Sequence, residues 1–382
     1  MTPSKTAAKK RRAKKTPTVP EPKLDPKAPQ LRTSERSTFK RCRWQWARTY
    51  GDRRKPRLEK PALRFGTLIH AALEERYPPG IKRGPKPAET FERLYNAAAD
   101  EWEQEHGVQM WDADGEREEM LDLGVSMMEG FVREYGRDED WQVISSERTF
   151  SVPVFAICPQ TALTGHHPDG CQRCGDSGKV HAFTYVGTMD GVWRNRMDGK
   201  VRVIDWKTTS SDPTKQQHLI LDEQATAYWT WGVEALAAEG VLKTKDLTAL
   251  DGMLYTFLYK QKTDERPVNA QGLALNKDGT VSGRQPVPRF HRELVYRGEA
   301  DREKARARVL NEVRDMFAGR RDPERHVYKT PGGAGSMNHC GWCPVRDLCE
   351  LDEMGKEYEE LAAATFEPWD PYADHEIETE GR

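Results

Sequence analysis

Residues 201–207 read Val-Arg-Val-Ile-Asp-Trp-Lys, an apolar run of strand-forming residues that ends in a carboxylate and an ammonium. Side chains two apart on a strand point to the same side, so Asp205 and Lys207 share one face and Trp206 can pack on the other. Asp205 can hold a divalent cation while Lys207 faces the same phosphate, which suits metal-assisted cleavage of a phosphodiester. The triplet alone is weak, because any strand edge with alternating charges contains one.

The segments around this strand predict a mixed α/β fold. Val186–Arg194 also has a strand pattern and is joined to it by the turn Arg196–Gly199, which predicts a hairpin. Further strands are predicted at Gln142–Val152 and Gly252–Lys260, and a basic loop at Asp52–Pro61. Helices are predicted at Ser37–Tyr50, Gly66–Glu75, Ala88–Gln104, Glu116–Tyr135, Leu221–Leu236 and Ala300–Phe317. This order predicts an α/β core, a mixed central sheet flanked by helices.

Composition restricts the classes of function. The chain has 382 residues, of which 36% are hydrophobic and 32% charged, and none of its apolar runs approaches a membrane span. Its first thirty residues carry nine Lys or Arg against two Asp or Glu and predict a disordered basic arm over residues 1–30. This arm either binds phosphates through counterion release or keeps the protein soluble. Because the net charge of the whole chain is −1, a uniformly basic DNA-coating protein is excluded.

Four signals, the triplet among them, follow one another in a fixed order: Gly66-x-x-x-His70, Gly187-Thr-Met-Asp190-Gly, Asp205-x-Lys207 and Gln224-x-x-x-Tyr228. With these motifs the sequence resembles the PD-(D/E)XK nucleases of the RecB-like branch, over the span from Cys42 to Cys349. The resemblance implies a restriction-endonuclease-like fold. We expect the nuclease domain over residues 31–365, with a helical insertion at 88–136 and an acidic tail at 366–382.

The resemblance also implies a metal site. In that branch the residues that correspond to His70, Asp190 and Asp205 ligate Mg²⁺ or Mn²⁺, together with a backbone carbonyl, here that of Trp206. Hard oxygen ligands suit Mg²⁺, and one imidazole makes Mn²⁺ competitive. Lys207 would orient the attacking water or neutralise the phosphate. Asp205 stands where the common form of the family has Glu, but Asp is the usual variant in this branch.

Three other polar side chains are candidates for the same site. Gln224 and Tyr228 are four apart on a helix and share a face, which the resemblance implies lines the site and positions the scissile strand. Glu147 is either an accessory carboxylate on the strand before the hairpin or an exposed strand residue. Glu74 follows His70 by one helical turn, where it either orients the imidazole or is solvated.

The cysteines near the C-terminal end form a C-x-x-C-x₅-C run, Cys340, Cys343 and Cys349. The RecB-like nucleases that carry a cluster, among them the AddB subunit and the CRISPR-associated Cas-four exonucleases, supply a fourth cysteine from far upstream. Cys42 has that position here. Four cysteines suit a [4Fe-4S] cluster or Zn²⁺, and the resemblance favours the iron-sulfur cluster. We expect it to act as a clasp that joins the N- and C-terminal parts.

A second cysteine group lies in a Cys/His-rich insertion at residues 156–183. Cys158, Cys171 and Cys174 with one histidine would complete a tetrahedral Zn²⁺ site, whereas the alternative is a loop with free thiols. The residues leave open which of His166, His167 and His181 is the ligand, and His167 is our prediction.

We therefore expect a metal-dependent DNA exonuclease, cytoplasmic and without membrane contact, that acts on single-stranded DNA or free ends in recombination, repair or phage DNA processing. One alternative is a CRISPR-adaptation nuclease that trims spacer precursors. Another is a non-cutting DNA-binding recombination subunit, and a third is an RNA-specific nuclease. The metal-ligand residues are all present, which favours an active enzyme. Protein partners are not indicated.

Overall fold

The computed structural model describes residues 20–58, 61–107, 116–164, 170–332 and 339–373. The chain divides into two compact units. The smaller unit contains Pro153–Thr184 and the chain up to Pro29, and the larger unit contains Gln30–Val152 and the chain from Tyr185 onwards. The predicted basic arm lies outside the described residues as far as residue 19.

The strands within the described residues are β1 (Gln30–Leu31), β2 (Arg54–Pro56), β3 (Trp141–Ser145), β4 (Arg148–Ile157), β5 (Lys179–Met189), β6 (Gly191–Asn195), β7 (Val201–Thr209), β8 (Leu250–Tyr259), β9 (Phe290–Tyr296) and β10 (Phe366–Pro368). The helices are α1 (Thr33–Arg41), α2 (Arg43–Trp46), α3 (Pro61–Arg76), α4 (Pro87–His106), α5 (Glu116–Tyr135), α6 (Pro159–Thr164), α7 (Glu223–Ala227), α8 (Val233–Ala238), α9 (Thr244–Ala249), α10 (Glu299–Arg321), α11 (Pro323–His326), α12 (Arg346–Glu353) and α13 (Glu359–Thr365). Of these described helices, none combines the length and the apolar character needed to cross a bilayer.

A five-stranded mixed sheet forms the centre of the larger unit, with the strand order β3-β6-β7-β8-β9. Strand β7 pairs antiparallel with β6 and parallel with β8, so it is a central strand. The parallel pairing requires a crossover, and helices α7, α8 and α9 lie in the chain between the two strands. The mixed central sheet and the hairpin that the sequence predicts are confirmed.

One face of this sheet is covered by α3, α4 and α5. Ile204 and Trp206 of β7 share a buried cluster with apolar residues of these three helices, among them Ile69, Phe91 and Met128. Because Trp206 packs into this core, the alternation of the strand leaves Asp205 and Lys207 on the opposite side. The helices predicted at Ala88–Gln104 and Glu116–Tyr135 are present as α4 and α5.

Several predicted elements have different bounds. The strand predicted over Gln142–Val152 is two strands, because the chain leaves the sheet after Ser145 and β4 begins at Arg148. The strand predicted over Val186–Arg194 is also interrupted, at Asp190, between β5 and β6. In each case the side-chain pattern of the sequence continues across the break in the backbone. The pattern alone therefore predicts one strand where the structure has two.

The N- and C-terminal parts of the larger unit meet in a small two-stranded sheet. Strand β2, inside the segment predicted as a basic loop, pairs antiparallel with β10. The first three residues of the predicted acidic tail, Phe366–Pro368, are this paired strand. A further sheet has the strand order β1-β5-β4.

Candidate active site

The side chains of Asp205 and Lys207 meet on the face of β7 opposite Trp206. Nζ of Lys207 lies 2.8 Å from Oδ2 of Asp205, so the two share a face as predicted from the period of a strand. Asp205 is almost fully buried, with 1% of its surface exposed. A carboxylate so far from water needs a positive partner, and Lys207 provides it.

Asp190 lies in the break between β5 and β6, close to both β7 and α3. Its Oδ2 accepts a 2.7 Å hydrogen bond from the backbone N–H of Trp206. Its Oδ1 lies 3.3 Å from Nδ1 of His70, on the third helix. The interruption of the strand therefore turns Asp190 towards the triplet and the histidine.

The buried carboxylates shift the pKa values of this group. Burial raises the pKa of Asp205 to about 7, with further contributions from the negative charges of Asp190 and Asp222 and an opposing one from Lys207. Burial lowers the pKa of His70, but the carboxylates of Asp190, Asp205 and Glu147 outweigh it and the net pKa is raised. The site carries more negative charge than its own cations neutralise.

Helix α7 brings a second row of polar groups to Lys207. Nζ of Lys207 donates to Oε1 of Gln224 at 3.1 Å, and Nε2 of Gln224 donates to the hydroxyl of Tyr228 at 2.6 Å. Gln224 and Tyr228 thus lie on one helix face, as their spacing predicts. The helix continues through a π-helical turn at Tyr228–Gly232.

Asp222 is a member of this group that the sequence reasoning missed. It precedes the first turn of α7, where Oδ1 accepts the backbone N–H groups of Gln224 and Ala225 at 2.8 and 3.1 Å. Its other oxygen lies 3.4 Å from Nζ of Lys207. An Asp before an apolar helical run is a helix-cap signal, and that signal could have placed a carboxylate here.

Glu147 does not lie on a strand, because it occupies the bend between β3 and β4. Burial raises the pKa of its carboxyl, as do Glu74 and Asp190, whereas His70 opposes the shift. Glu147 therefore belongs to the negative surroundings of His70. For Glu74 the structure gives a pKa raised by burial and by Glu75, and the carboxylate that contacts Nδ1 of His70 is Asp190.

A family model for the PD-(D/E)XK nuclease superfamily matches residues 32–350. The chain belongs to the PD-(D/E)XK nuclease superfamily. A comparison with curated proteins finds no match. The matched span contains the five-stranded sheet and every residue of the cluster around Asp205. Members of the PD-(D/E)XK superfamily are nucleases that typically use Mg²⁺ or Mn²⁺.

The residues of this PD-(D/E)XK site fit such a cation. Oδ2 of Asp205 is buried, and within the described residues no group donates a well-aligned hydrogen bond to it. The carboxylates of Asp190 and Asp205 and the imidazole of His70 are a donor set of hard oxygens and one nitrogen. A divalent cation would offset both the burial of Asp205 and the repulsion from Asp190 and Asp222, which together raise its pKa.

The structure brings Cys42 to the C-terminal cysteines of the nuclease. Cys42 lies at the junction of α1 and α2 and packs, with Cys343 and Cys349, against a small apolar cluster. Burial, with smaller contributions from Cys42 and Cys349, raises the pKa of Cys343 to about 11. The pKa of Cys349 is also raised, first by burial and then by Cys42 and Cys340, although Lys329 opposes these effects. The four thiols are therefore electrostatic neighbours.

The cysteines of the smaller unit form a tighter group. The sulfur atoms of Cys158, Cys171 and Cys174 lie within 4.8 Å of one another, and all three residues are buried. The predicted fourth ligand, His167, lies outside the described residues.

Proposed function

We propose that this PD-(D/E)XK nuclease is a metal-dependent DNA exonuclease of the RecB-like branch. It acts on single-stranded DNA or on free ends, in recombination, repair or phage DNA processing. The observation that carries the proposal is the continuous set of contacts from His70 through Asp190 and the Trp206 backbone to Asp205 and Lys207. None of the seven cysteines forms a disulfide, which supports a cytoplasmic enzyme, since thiols stay reduced there.

His70, Asp190, Asp205 and the carbonyl of Trp206 would hold Mg²⁺ or Mn²⁺. When bound, the cation stabilises the negative charge that grows on the phosphate and lowers the pKa of water. Asp190 is fixed for this role by its hydrogen bond from Trp206, and Asp205 by its contact with Lys207. Both carboxylates are thus positioned before DNA arrives.

Lys207 acts as a cation and hydrogen-bond donor. Burial lowers its pKa, but Asp205 and Asp222 outweigh that effect, and the net pKa lies above its ordinary value. The side chain therefore keeps its proton at neutral pH. It neutralises a phosphate oxygen and holds the nucleophilic water in line, and it does not act as a general base.

Gln224 and Tyr228 position the DNA strand beside Lys207. Burial and the charges of Asp190 and Asp205 raise the pKa of Tyr228, so its hydroxyl stays protonated. The hydroxyl oxygen accepts from Gln224, and its hydrogen can be donated to a DNA oxygen. Loss of either side chain would therefore weaken DNA binding more than it would slow the chemical step.

The cysteines favour the RecB-like branch within the superfamily. The proximity of Cys42 to Cys343 and Cys349 supports a [4Fe-4S] clasp. Protein purified without oxygen should be brown, absorb light at about 400 nm and contain iron and sulfide. The double variant Cys340→Ser/Cys343→Ser should lose both. Zinc in place of iron at these four cysteines would contradict the cluster assignment.

Digestion of end-labelled DNA tests the activity. Linear single-stranded, linear double-stranded and circular single-stranded DNA are incubated with Mg²⁺ or Mn²⁺ and wild type, Asp205→Asn or Lys207→Met. Each variant should lose roughly 10³-fold in rate, because it removes a group that stabilises the transition state. An exonuclease leaves the circle intact.

The matched controls make the same changes at exposed positions of α10, Asp315→Asn and Lys304→Met. Both should cut like wild type. Undiminished cutting by Asp205→Asn and Lys207→Met would refute the assigned site, and rapid cutting of the circle would refute the exonuclease assignment alone.

A further inference from the structure

The three cysteines of the smaller unit have the spacing of metal ligands. The sulfur atoms of Cys158 and Cys171 are 4.0 Å apart, and all three sulfurs lie within 4.8 Å of one another. A disulfide would bring two of them to about 2.0 Å. Thiolates that share one tetrahedral Zn²⁺, with Zn–S bonds of about 2.3 Å, are separated by about 3.8 Å. The observed separation matches the second arrangement.

A tight turn holds two of these cysteines. The backbone N–H of Gly175 donates to the carbonyl of Cys171 at 2.8 Å and closes the turn over Cys171-Gln-Arg-Cys174. Gly175, Asp176 and Gly178 have φ values of +56°, +64° and +71°. Glycine adopts this left-handed backbone readily and Asp is among the residues that tolerate it, so the sequence suits the turn.

The third cysteine is tied to the same turn by the backbone. Cys158 follows the last residue of β4, and its N–H donates to the carbonyl of Gly178 at 2.8 Å. Asp176 adds a side-chain contact, since its Oδ1 accepts the N–H of Cys171 at 2.8 Å. The three sulfurs are therefore held together by main-chain geometry.

The cysteines form the centre of the buried cluster around this turn. The cluster consists of Cys158, Cys171 and Cys174, with Val180 packed against it. A short segment with a small apolar cluster is typically stabilised by a disulfide or a metal. None of these three cysteines forms a disulfide, which favours a metal.

We infer that Cys158, Cys171 and Cys174 hold a structural Zn²⁺ in the smaller unit. Soft thiolates exclude Mg²⁺, and a closed tetrahedral thiolate site is typical of structural zinc. His181 is not the fourth ligand, because its Nδ1 accepts the N–H of Asp25 and its Nε2 bonds the hydroxyl of Thr184, each at 3.1 Å.

Metal analysis of the full-length protein tests the inference. Cells are grown with added zinc and iron, and the metal content of wild type is compared with that of Cys171→Ser/Cys174→Ser. Wild type should contain about one zinc per chain, and the variant should lose it and keep its iron. The matched control, Cys340→Ser/Cys343→Ser, removes the same number of thiols elsewhere and should keep the zinc. His181→Ala should also keep it.

A second measurement needs no variant. Zinc-loaded wild type is treated with iodoacetamide before and after chelation, and the modified cysteines are identified by mass spectrometry. Cys158, Cys171 and Cys174 should be protected before chelation and react after it. Wild type without zinc, zinc retained by Cys171→Ser/Cys174→Ser, or equal alkylation before and after chelation would each overturn the assignment.

Discussion

The backbone N–H of Trp206 donates a 2.7 Å hydrogen bond to Oδ2 of Asp190. This bond fixes one acidic residue of the site to the main chain beside the other, Asp205. It forms because the chain leaves the strand geometry at Asp190, between β5 and β6. The distance between the two carboxylates is therefore set by the sheet, and the repulsion between them is built into the metal-free protein.

Asp205→Asn should stabilise the metal-free protein at high pH. The pKa of Asp205 is about 7 in the folded protein, whereas it is about 4 in an unfolded chain. Folding therefore takes up a proton between these values, and stability decreases as the pH rises through this window. Asn removes the penalty, so the variant should exceed wild type most above about pH 7.

The measurement is urea unfolding of both proteins from about pH 5 to 8, with no Mg²⁺ or Mn²⁺ added. Asp315→Asn, at an exposed site, is the control and should differ from wild type by the same amount at every pH. A difference between Asp205→Asn and wild type that shrinks as the pH rises would contradict the sign.

Asp222 combines a helix cap with a charge beside Lys207, and two variants separate these roles. Asp222→Asn keeps an oxygen for the N–H groups of Gln224 and Ala225 but removes the charge. It should retain stability and lower the cutting rate by roughly tenfold, as expected for a group that supports a site residue. Asp222→Ala should in addition lose about 1 kcal/mol of stability. Equal stabilities of the two variants would contradict the cap assignment.

Asp138 and Arg292 form a buried ion pair that connects β9 to the chain before β3. Nη1 and Nη2 of Arg292 each donate to the Asp138 carboxylate at 2.7 Å. The hydroxyl of Tyr77 donates to the same carboxylate at 2.5 Å. Asp138→Asn should cost about 3–5 kcal/mol, because it leaves the Arg292 charge without its partner. Asn tolerates the φ of +48° at this position, so backbone strain is not the cause. Chemical denaturation measures the loss, and exposed Asp140→Asn is the control.

Gly124 allows α5 to pack closely on α4. A Cβ at this position would lie 2.0 Å from Cε1 of Phe91. Gly124→Ala should therefore destabilise the protein by about 1–3 kcal/mol, although Ala favours a helix by about 1 kcal/mol over Gly. The double variant Gly124→Ala/Phe91→Leu should recover part of the loss in thermal unfolding. If Gly124→Ala had the same midpoint of thermal unfolding as wild type, the two helices would be able to move apart without loss of stability, which would contradict the prediction.

The sequence was sufficient where a periodic pattern matched one regular element. The period of two placed Asp205 and Lys207 together, and the helical spacing placed Gln224 beside Tyr228. The prediction from sequence failed where the backbone breaks within a regular side-chain pattern, because the pattern carries no information about the break. Alternation across Ser146 and Glu147 hid the end of β3, so Glu147 was assigned to a strand and lies in a bend.

Other features depend on residues far away in the chain. Strand β9 was missed because His291, Arg292 and Glu293 give it a polar sequence, and its partner β8 supplies the apolar side. Strand β2 consists of Arg, Lys and Pro, and only its pairing with β10 makes it a strand. The contact of Asp222 with Lys207 was missed because it joins the start of α7 to β7, and a local pattern does not show which strand a helix start lies beside.

The pairing of β2 with β10 has a consequence for how the chain folds. The paired residues are separated by roughly 310 positions, so closing this sheet carries a large loop entropy and should be a late step. During synthesis Arg54–Pro56 cannot pair until Phe366–Pro368 has left the ribosome. All residues of the Asp205 cluster emerge before that point. We expect a nascent chain stalled before Phe366 to contain an ordered nuclease sheet and an open edge at β2, which would be the first place for a protease to cut.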